Sequence, residues 1–572
     1  MSLQLTMGLS GPASLLYNGT EMLYAPANTP YVVEMYGRGL IGDGKFRENQ
    51  WLGNTPVSVS VTSNTATLLF DWGYVDVKYM IDGDRFVMHV TVKNETGNMV
   101  FDRYRIFALA LKFPQVPADT TNAATFNTDG PSSVFRSYGS GAADLVNEEA
   151  KGALGLGWWQ VNSPPDDKWF VQMFADPFQK INPNWPSVVR PVAPSESVTF
   201  KISIRFGGAD ATEEDLASDV FEEYRNAFPM VIPPEEVLFP IARLSFNGAF
   251  RPSFATNPRG WFNDASLDIY SKDGLERFRS GLLSAADSSV NEMERVGAAG
   301  GIIWDIEGQQ LDQSYIGDPS QAEILAPELI GVLDEFVGKI RKAGFPVGFT
   351  LRPQTFTVKL GVINVEGKQV AWHEGAKFSL KWAQDRAGGA LAFATNNWRI
   401  ASVEDDEHLT LMNDAGSHET VEYFYARQIN VDHFAEMRRK VQYCRRRWGA
   451  TLFYVDSTLG WYGNLTPGEA FEKLTEEYRD VSFFPEWKGT RHYASTRPWT
   501  DTNLGYIFPP AQTLLTYPDA AGLIRVGNDQ TIDAQRDDLT RAVREGNILL
   551  FDGWYPHHAN DVVKEIYDEV TA

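Results

Sequence analysis

The stretch TLFYVDSTLGW, Thr451 to Trp461, is apolar, β-branched and aromatic, and it stops abruptly at a carboxylate, Asp456. Small polar residues follow. This is the pattern of a parallel strand buried on both faces that delivers a side chain at its C-terminal end. GIIWDIEG at Gly301 and VSFFPEW at Val481 repeat it, each with an acid at the tip. Five more apolar runs share the design: PIARLSF ending before Asn247, PVGFTLRP from Pro346, GYIFP at Gly505, GLIRVG at Gly522 and NILLFDGW at Asn547. Helical patterns lie between them. The run from Pro327 places Leu329, Leu333, Phe336, Val337 and Ile340 on one face and ends at Gly344, and Thr466 is a cap for the run that leads to VSFFPE. Eight strands alternating with helices over about 330 residues predict a (β/α)8 TIM barrel. The competitor, an open doubly wound sheet, lacks its Gly-rich phosphate fingerprint after the first strand.

A chain of 572 residues is too long for one core. From Leu5 to about Phe206 short strands and turns run without crossover helices, which predicts an N-terminal antiparallel β-sandwich over residues 1–211. Its clearest unit is Tyr74 to Gly97, where alternating strands flank the turn Asp82-Gly83-Asp84. The period changes at Thr212: Leu216, Val220, Phe221 and Tyr224 share a helical face, and residues 212–237 read as a linking helix and linker. The barrel then spans 238–572. Residues 354–431, after the third strand, read as hairpins and form a β-rich insertion.

The formal net charge of −23 disfavours nucleic acid and anionic membrane as partners, because an acidic surface is repelled by both. A neutral ligand fits better. The chain has 16 Trp and 22 Tyr, and flat rings suit the faces of sugars, although large aromatics also fill cores. One cysteine, Cys444, excludes an intrachain disulfide and a thiolate metal cluster, and it falls on the apolar stripe Phe434, Met437, Val441, Cys444, Trp448 of a helix. No metal or other cofactor is expected: Asp305, Asp312 and Asp318 are irregularly spaced and read as a solvated acidic loop rather than a calcium site. No signal peptide and no membrane-spanning run is visible, so a soluble chain is expected, in the cytoplasm or exported with its signal removed.

In a barrel the strand tips share one face. On it fall Asn247, Asp305, Glu307, Arg352, Asp456, Glu486, Arg525 and Asp552, ringed by Trp304, Trp461, Trp487 and Trp554. Carboxylates at this density without a His cluster suit glycosidic bond cleavage, in which one acid protonates the leaving oxygen and another attacks or activates water. Asp456 is the expected nucleophile, since Ser457 and Thr458 can hydrogen-bond its ionised form. Glu486, between Pro485 and Trp487, is the expected general acid/base, its pKa raised by apolar neighbours. Asp305, Glu307 and Arg352 are expected to grip hydroxyls, with Arg491 a further contact. The D-x-E of Asp305 and Glu307 also resembles the acidic motif of chitinase-like barrels, which would make Glu307 the acid. A catalytically silent saccharide-binding barrel is the reading from a different class.

The order of features resembles the retaining α-glycosidase barrels, among them the α-galactosidase group and the endo-α-N-acetylgalactosaminidases. The features are an N-terminal sandwich, a linking helix, a second strand carrying an acid, G-F-T-L-R-P at the third and Y-V-D ending the fourth. The resemblance implies a retaining glycoside hydrolase acting on an α-linked oligosaccharide or glycoside, with the nucleophile at Asp456. In the endo-α-N-acetylgalactosaminidase type the acid/base is a Glu after the fifth strand, which falls on Glu486. The α-galactosidase type takes an Asp after the sixth strand, where GYIFP carries no acid and Asp501 lies upstream. The insertion is similar in position to the B-subdomain of related α-glucosidases.

Overall fold

The structure, a computed structural model, describes residues 2–24, 30–40, 46–113, 123–125, 130–152, 154–160, 168–175, 190–231, 239–245, 256–257, 260–304, 306–307, 317–375, 377–378, 400–429, 431–458, 465–486, 489–502, 507–526 and 529–572. It divides into two compact units. One is Met1–Met230 with Gly489–Ala494 and Pro510–Pro518; the other is Val231–Lys488, Ser495–Pro509 and Asp519–Ala572.

The first unit is built on antiparallel pairing. A six-stranded sheet runs in the order Ala123–Thr125, Gly155–Gln160, Lys168–Ala175, Met99–Lys112, Tyr31–Leu40, Phe46–Trp51. A seven-stranded sheet runs Ser133–Ser137, Ala142–Asn147, Ser197–Gly207, Arg85–Asn94, Gly73–Asp82, Thr65–Phe70, Ser58–Val61. Alternation turns Val75, Val77 and Val90 of one and Phe101, Tyr104 and Ile106 of the other into a single core. The expected hairpin forms, with Asp82 opposite Arg85 and Gly83 at φ 65° in the turn, a conformation open to glycine. The helix Glu213–Ala227 starts at a capping box between Thr212 and Asp215 and buries Ala217, Val220, Phe221 and Tyr224.

The second unit holds eight parallel strands: Ile241–Ser245, Gly300–Trp304, Val347–Leu351, Leu452–Val455, Ser482–Pro485, Trp499–Asp501, Leu523–Arg525 and Ile548–Asp552. Counted in that order they pair 5-4-3-2-1-8-7-6, a nearly closed barrel whose first and eighth strands are joined. Two apolar layers account for the continuous hydrophobic runs. Residues of one parity, such as Leu244, Ile303, Phe349, Phe453 and Leu549, face the helices. Residues of the other, Ile241, Ile302, Leu452, Tyr454, Phe484, Leu523, Ile548 and Leu550, fill the inside.

One strand differs from expectation. The sixth is Trp499–Asp501 and not the GYIFP run, whose Ile507 and Phe508 lie outside any strand and pack, partly buried, on the core. Pro509 and Pro510 follow and open the helix Ala511–Thr516. An apolar run signals burial, and backbone in a buried turn carries the same signal as a strand. The second strand also ends early, at Trp304, so Glu307 sits in a turn and strand alternation does not govern it.

After the third strand comes a five-stranded antiparallel sheet ordered Ile400–Val403, His408–Leu411, Gln369–Gly375, Thr355–Glu366, Ser417–Ile429. Val365, Val370, Ile400, Leu409 and Leu411 give it a small core of its own. The chain then enters the helix His433–Trp448, capped by Asp432 at its start and by Gly449, at φ 64°, at its end. Cys444 lies on the buried stripe of that helix, and burial pushes its thiol well above the ordinary value. The thiolate is the reactive form, so the folded chain is expected to resist a thiol reagent at pH 8 and to react with one equivalent once unfolded in guanidinium. Rapid labelling of the native protein, read by absorbance, would contradict this packing.

Candidate active site

Period-two alternation selects the residues of the barrel mouth. Continuing the inward parity to or just past each strand tip gives Arg243, Trp304, Arg352, Asp456, Glu486, Asp501, Arg525 and Asp552, one from every strand. Hydrogen bonds extend the ladder beyond the fourth and fifth strands. Asp456 N–H donates to the Leu351 carbonyl at 2.8 Å, and Glu486 N–H to the Val455 carbonyl at 2.8 Å.

These tips form three groups. In the first, Arg352 Nε donates to Asp456 Oδ2 at 2.6 Å, and the Ser457 hydroxyl donates to the same oxygen at 3.1 Å. Ser457 N–H donates to Glu486 Oε2 at 2.9 Å. Asp456 is 6% exposed, so its charge has few water partners and depends on these donors. Burial is the largest cause raising the Glu486 pKa to about 8; the neighbouring charge of Asp456 and a hydrogen bond with it add to this, while Ser457 N–H and Arg352 oppose it. Two carboxyl groups in this contact hold one proton between them, and the geometry gives it to Glu486.

The second group is Arg243, which reaches Asp552 Oδ1 at 3.1 Å and lies over the Trp304 ring, 5.2 Å from its centroid. Trp304 in turn stacks on Tyr454 at 4.5 Å. The third is Arg525, 3.4 Å from Asp501. Asp501 therefore ends the sixth strand, correcting the expectation that this strand carries no acid. Arg243 was missed by sequence reasoning, although counting parity from Ile241 would have found it.

Other expected site residues are engaged elsewhere. Glu307 is 1% exposed, and its carboxylate accepts the backbone N–H groups of Gly317 and of Asp318, the latter at 3.1 Å. Burial raises its pKa. Asp318 is buried as well, bonded to Arg439 at 2.5 Å and Ser320 Oγ at 2.6 Å, which corrects its reading as a solvated acid. Trp554 packs on the layer between barrel and helices, 6.3 Å from the Phe336 ring. Arg491 belongs to the first unit and lies 3.9 Å over the Phe228 ring. Asn247, Asp305, Asp312, Trp461 and Trp487 lie outside the described residues. Among the described residues no His, Cys, Asp and Glu group has the geometry of a metal site, and no helix is long and apolar enough to cross a membrane.

No protein-family model and no curated protein matches the sequence. Solved structures are similar in the course of the chain. The α-galactosidase from Lactobacillus brevis matches at 11% identity and a TM-score of 0.42, covering 100% of this chain and 78% of that one. The α-N-acetylgalactosaminidase NagBb from Bifidobacterium bifidum, a quadruple mutant, matches at 10% identity and 0.45, covering 100% and 92%. The cycloalternan-forming enzyme from Listeria monocytogenes, in complex with a pentasaccharide, matches at 10% identity and 0.35, covering 96% and 51%. Likeness at this level leaves the reading of function to the geometry of the site.

Proposed function

We propose that the protein is a retaining glycoside hydrolase acting on α-linked glycosides, with Asp456 as nucleophile and Glu486 as general acid/base. The observation that carries the reading is the carboxyl pair itself. One member is ion-paired with a guanidinium at 2.6 Å, which favours the charged form a nucleophile needs. Its neighbour has a pKa near 8 and so holds a proton at neutral pH, the state a general acid needs. Two roles follow from two environments.

Contact between the carboxyl groups also bears on stereochemistry. An inverting pair stands roughly 6.5–9.5 Å apart to admit a water, whereas retaining pairs stand at roughly 5–5.5 Å. Asp456 and Glu486 influence each other's charge and both bond to Ser457, which favours the shorter of the two ranges. In the proposed cycle the glycosidic oxygen takes the Glu486 proton as Asp456 attacks the anomeric carbon. Glu486, now ionised, then removes a proton from the water that releases the sugar. Arg243, Asp552, Trp304 and Arg352 are proposed to bind the sugar at the barrel mouth, with Trp304 offering an apolar ring. Asp305, Trp461 and Trp487 follow the second, fourth and fifth strands and stay in the proposal on sequence grounds alone. The α-linkage comes from the family resemblance.

A second reading keeps Asp456 as nucleophile and gives the acid/base role to Asp501. The corrected sixth strand, which ends at Asp501, favours it. Glu486 would then serve to set the charge on Asp456.

Hydrolysis of a panel of aryl α- and β-glycosides separates these readings. Wild type should cleave an α-glycoside with retention, and Asp456→Ala should lose the activity. Glu486→Ala should lower kcat by about 10²–10⁴-fold, most for poor leaving groups, and azide should restore part of it. If Asp501→Asn shows that leaving-group pattern and Glu486→Ala does not, the second reading holds. An inverted product, or full activity without Asp456, would refute both. The acid works only when protonated, so kcat/KM should fall as pH rises through about 8. A profile flat from pH 6 to 10 would deny Glu486 that role.

A further inference from the structure

Ser457 has a backbone conformation that its side chain disfavours. Its φ of 55° lies in the left-handed region, where the Cβ of any residue but glycine crowds the backbone. Such a residue persists when its surroundings hold it there, and strain of this kind gathers at functional sites. Ser457 follows Asp456 directly, and each of its polar groups is in use. Its N–H is on Glu486 at 2.9 Å, its hydroxyl on Asp456 at 3.1 Å, and its carbonyl accepts from Gln354 Nε2 at 2.7 Å.

Gln354 is held in its turn. It is 7% exposed, and its carbonyl accepts from Lys440 Nζ at 2.8 Å. The same ammonium donates to the carbonyls of Arg352 at 2.7 Å and Gly317 at 3.1 Å. Lys440 is wholly buried on the helix His433–Trp448, with Glu436 at 3.8 Å and the charge of Asp318 supporting it. A cation with all three protons placed on backbone oxygens cross-links the chain on either side of Arg352. The connection runs unbroken from Lys440 through Gln354 to Ser457 and both carboxyl groups.

We propose that Gln354 is a positioning residue: anchored on Lys440, it keeps Ser457 left-handed and so keeps the Ser457 N–H on Glu486 and the Ser457 hydroxyl on Asp456. The catalytic meaning of this clamp rests on the glycosidase reading, but the clamp itself does not. The charged groups facing Glu486 are Asp456, after the fourth strand, and Arg352, after the third. The Ser457 N–H favours the ionised form of Glu486, so releasing it should move the titration of Glu486 upward.

Thermal unfolding against pH tests this without a substrate. Each variant is paired with the same variant carrying Glu486→Gln, and the difference isolates Glu486. Its pKa is raised in the folded chain, so its contribution to stability is complete below about 4.5, is lost as pH rises, and levels off above about 8. In Gln354→Met, and in Gln354→Asn should the first variant fold poorly, the levelling should move up by about half to one pH unit. In a Ser457→Gly background, where the hydroxyl on Asp456 is missing from both members of the comparison, Gln354→Met should shift the levelling little, because glycine adopts the conformation unaided. An unmoved curve in the Gln354 variants, or a shift that glycine leaves in place, overturns the clamp. Failure of the glycoside panel would sink the enzyme reading and leave these curves as they are.

Discussion

Everything at the barrel mouth turns on Asp456 being shared. Arg352 and Ser457 donate to one of its oxygens, and Glu486 meets it as a second acid. Two carboxylates cannot both ionise in contact at a buried site, so the guanidinium decides which keeps the charge. Without Arg352 neither carboxyl would have that preference. That gives a reason for the polar interior behind it, where a buried ammonium fixes the backbone carrying Arg352 and a buried carboxylate fixes residues 317 and 318. Buried charges of this kind add little to stability even when well paired. Their value is in the placement of two oxygens.

The architecture supplies the rest. Parallel strands buried on both faces give continuous apolar runs, and their inward residues, continued to the tips, converge on one opening. Among the described residues, Arg243 pairs with Asp552 and Arg525 with Asp501 across neighbouring strands there, beside the ring of Trp304. Neutral ligands with many hydroxyls can exchange hydrogen bonds with such pairs without a net charge to balance.

Much of this was legible in the sequence. The first five strands and the last two are apolar runs with clear ends, and Asp456 and Glu486 follow from where two of those runs stop. The sixth strand was missed because three residues, Trp499–Asp501, are too short for a pattern, and GYIFP nearby looked stronger. Taking GYIFP as the strand leaves Asp501 upstream of it, not at its tip. Glu307 and Trp554 follow strand ends in the sequence, but a residue past a tip is placed by its turn, which strand alternation does not describe. Lys440 was hidden in the basic stretch of a helix, where six of the sixteen residues are Arg or Lys and one faces inward. Nothing local marks Gln354. Its role depends on a contact 103 residues away.

The central claim is that Glu486 carries the proton and Asp456 the charge. Isotope-edited infrared spectroscopy tests it directly, with ¹³C-carboxyl glutamate in wild type and in Glu486→Gln. A protonated carboxyl band present at pH 7, absent from the variant, and titrating near pH 8 would match the structure. A Glu486 band already ionised at pH 6 would contradict it.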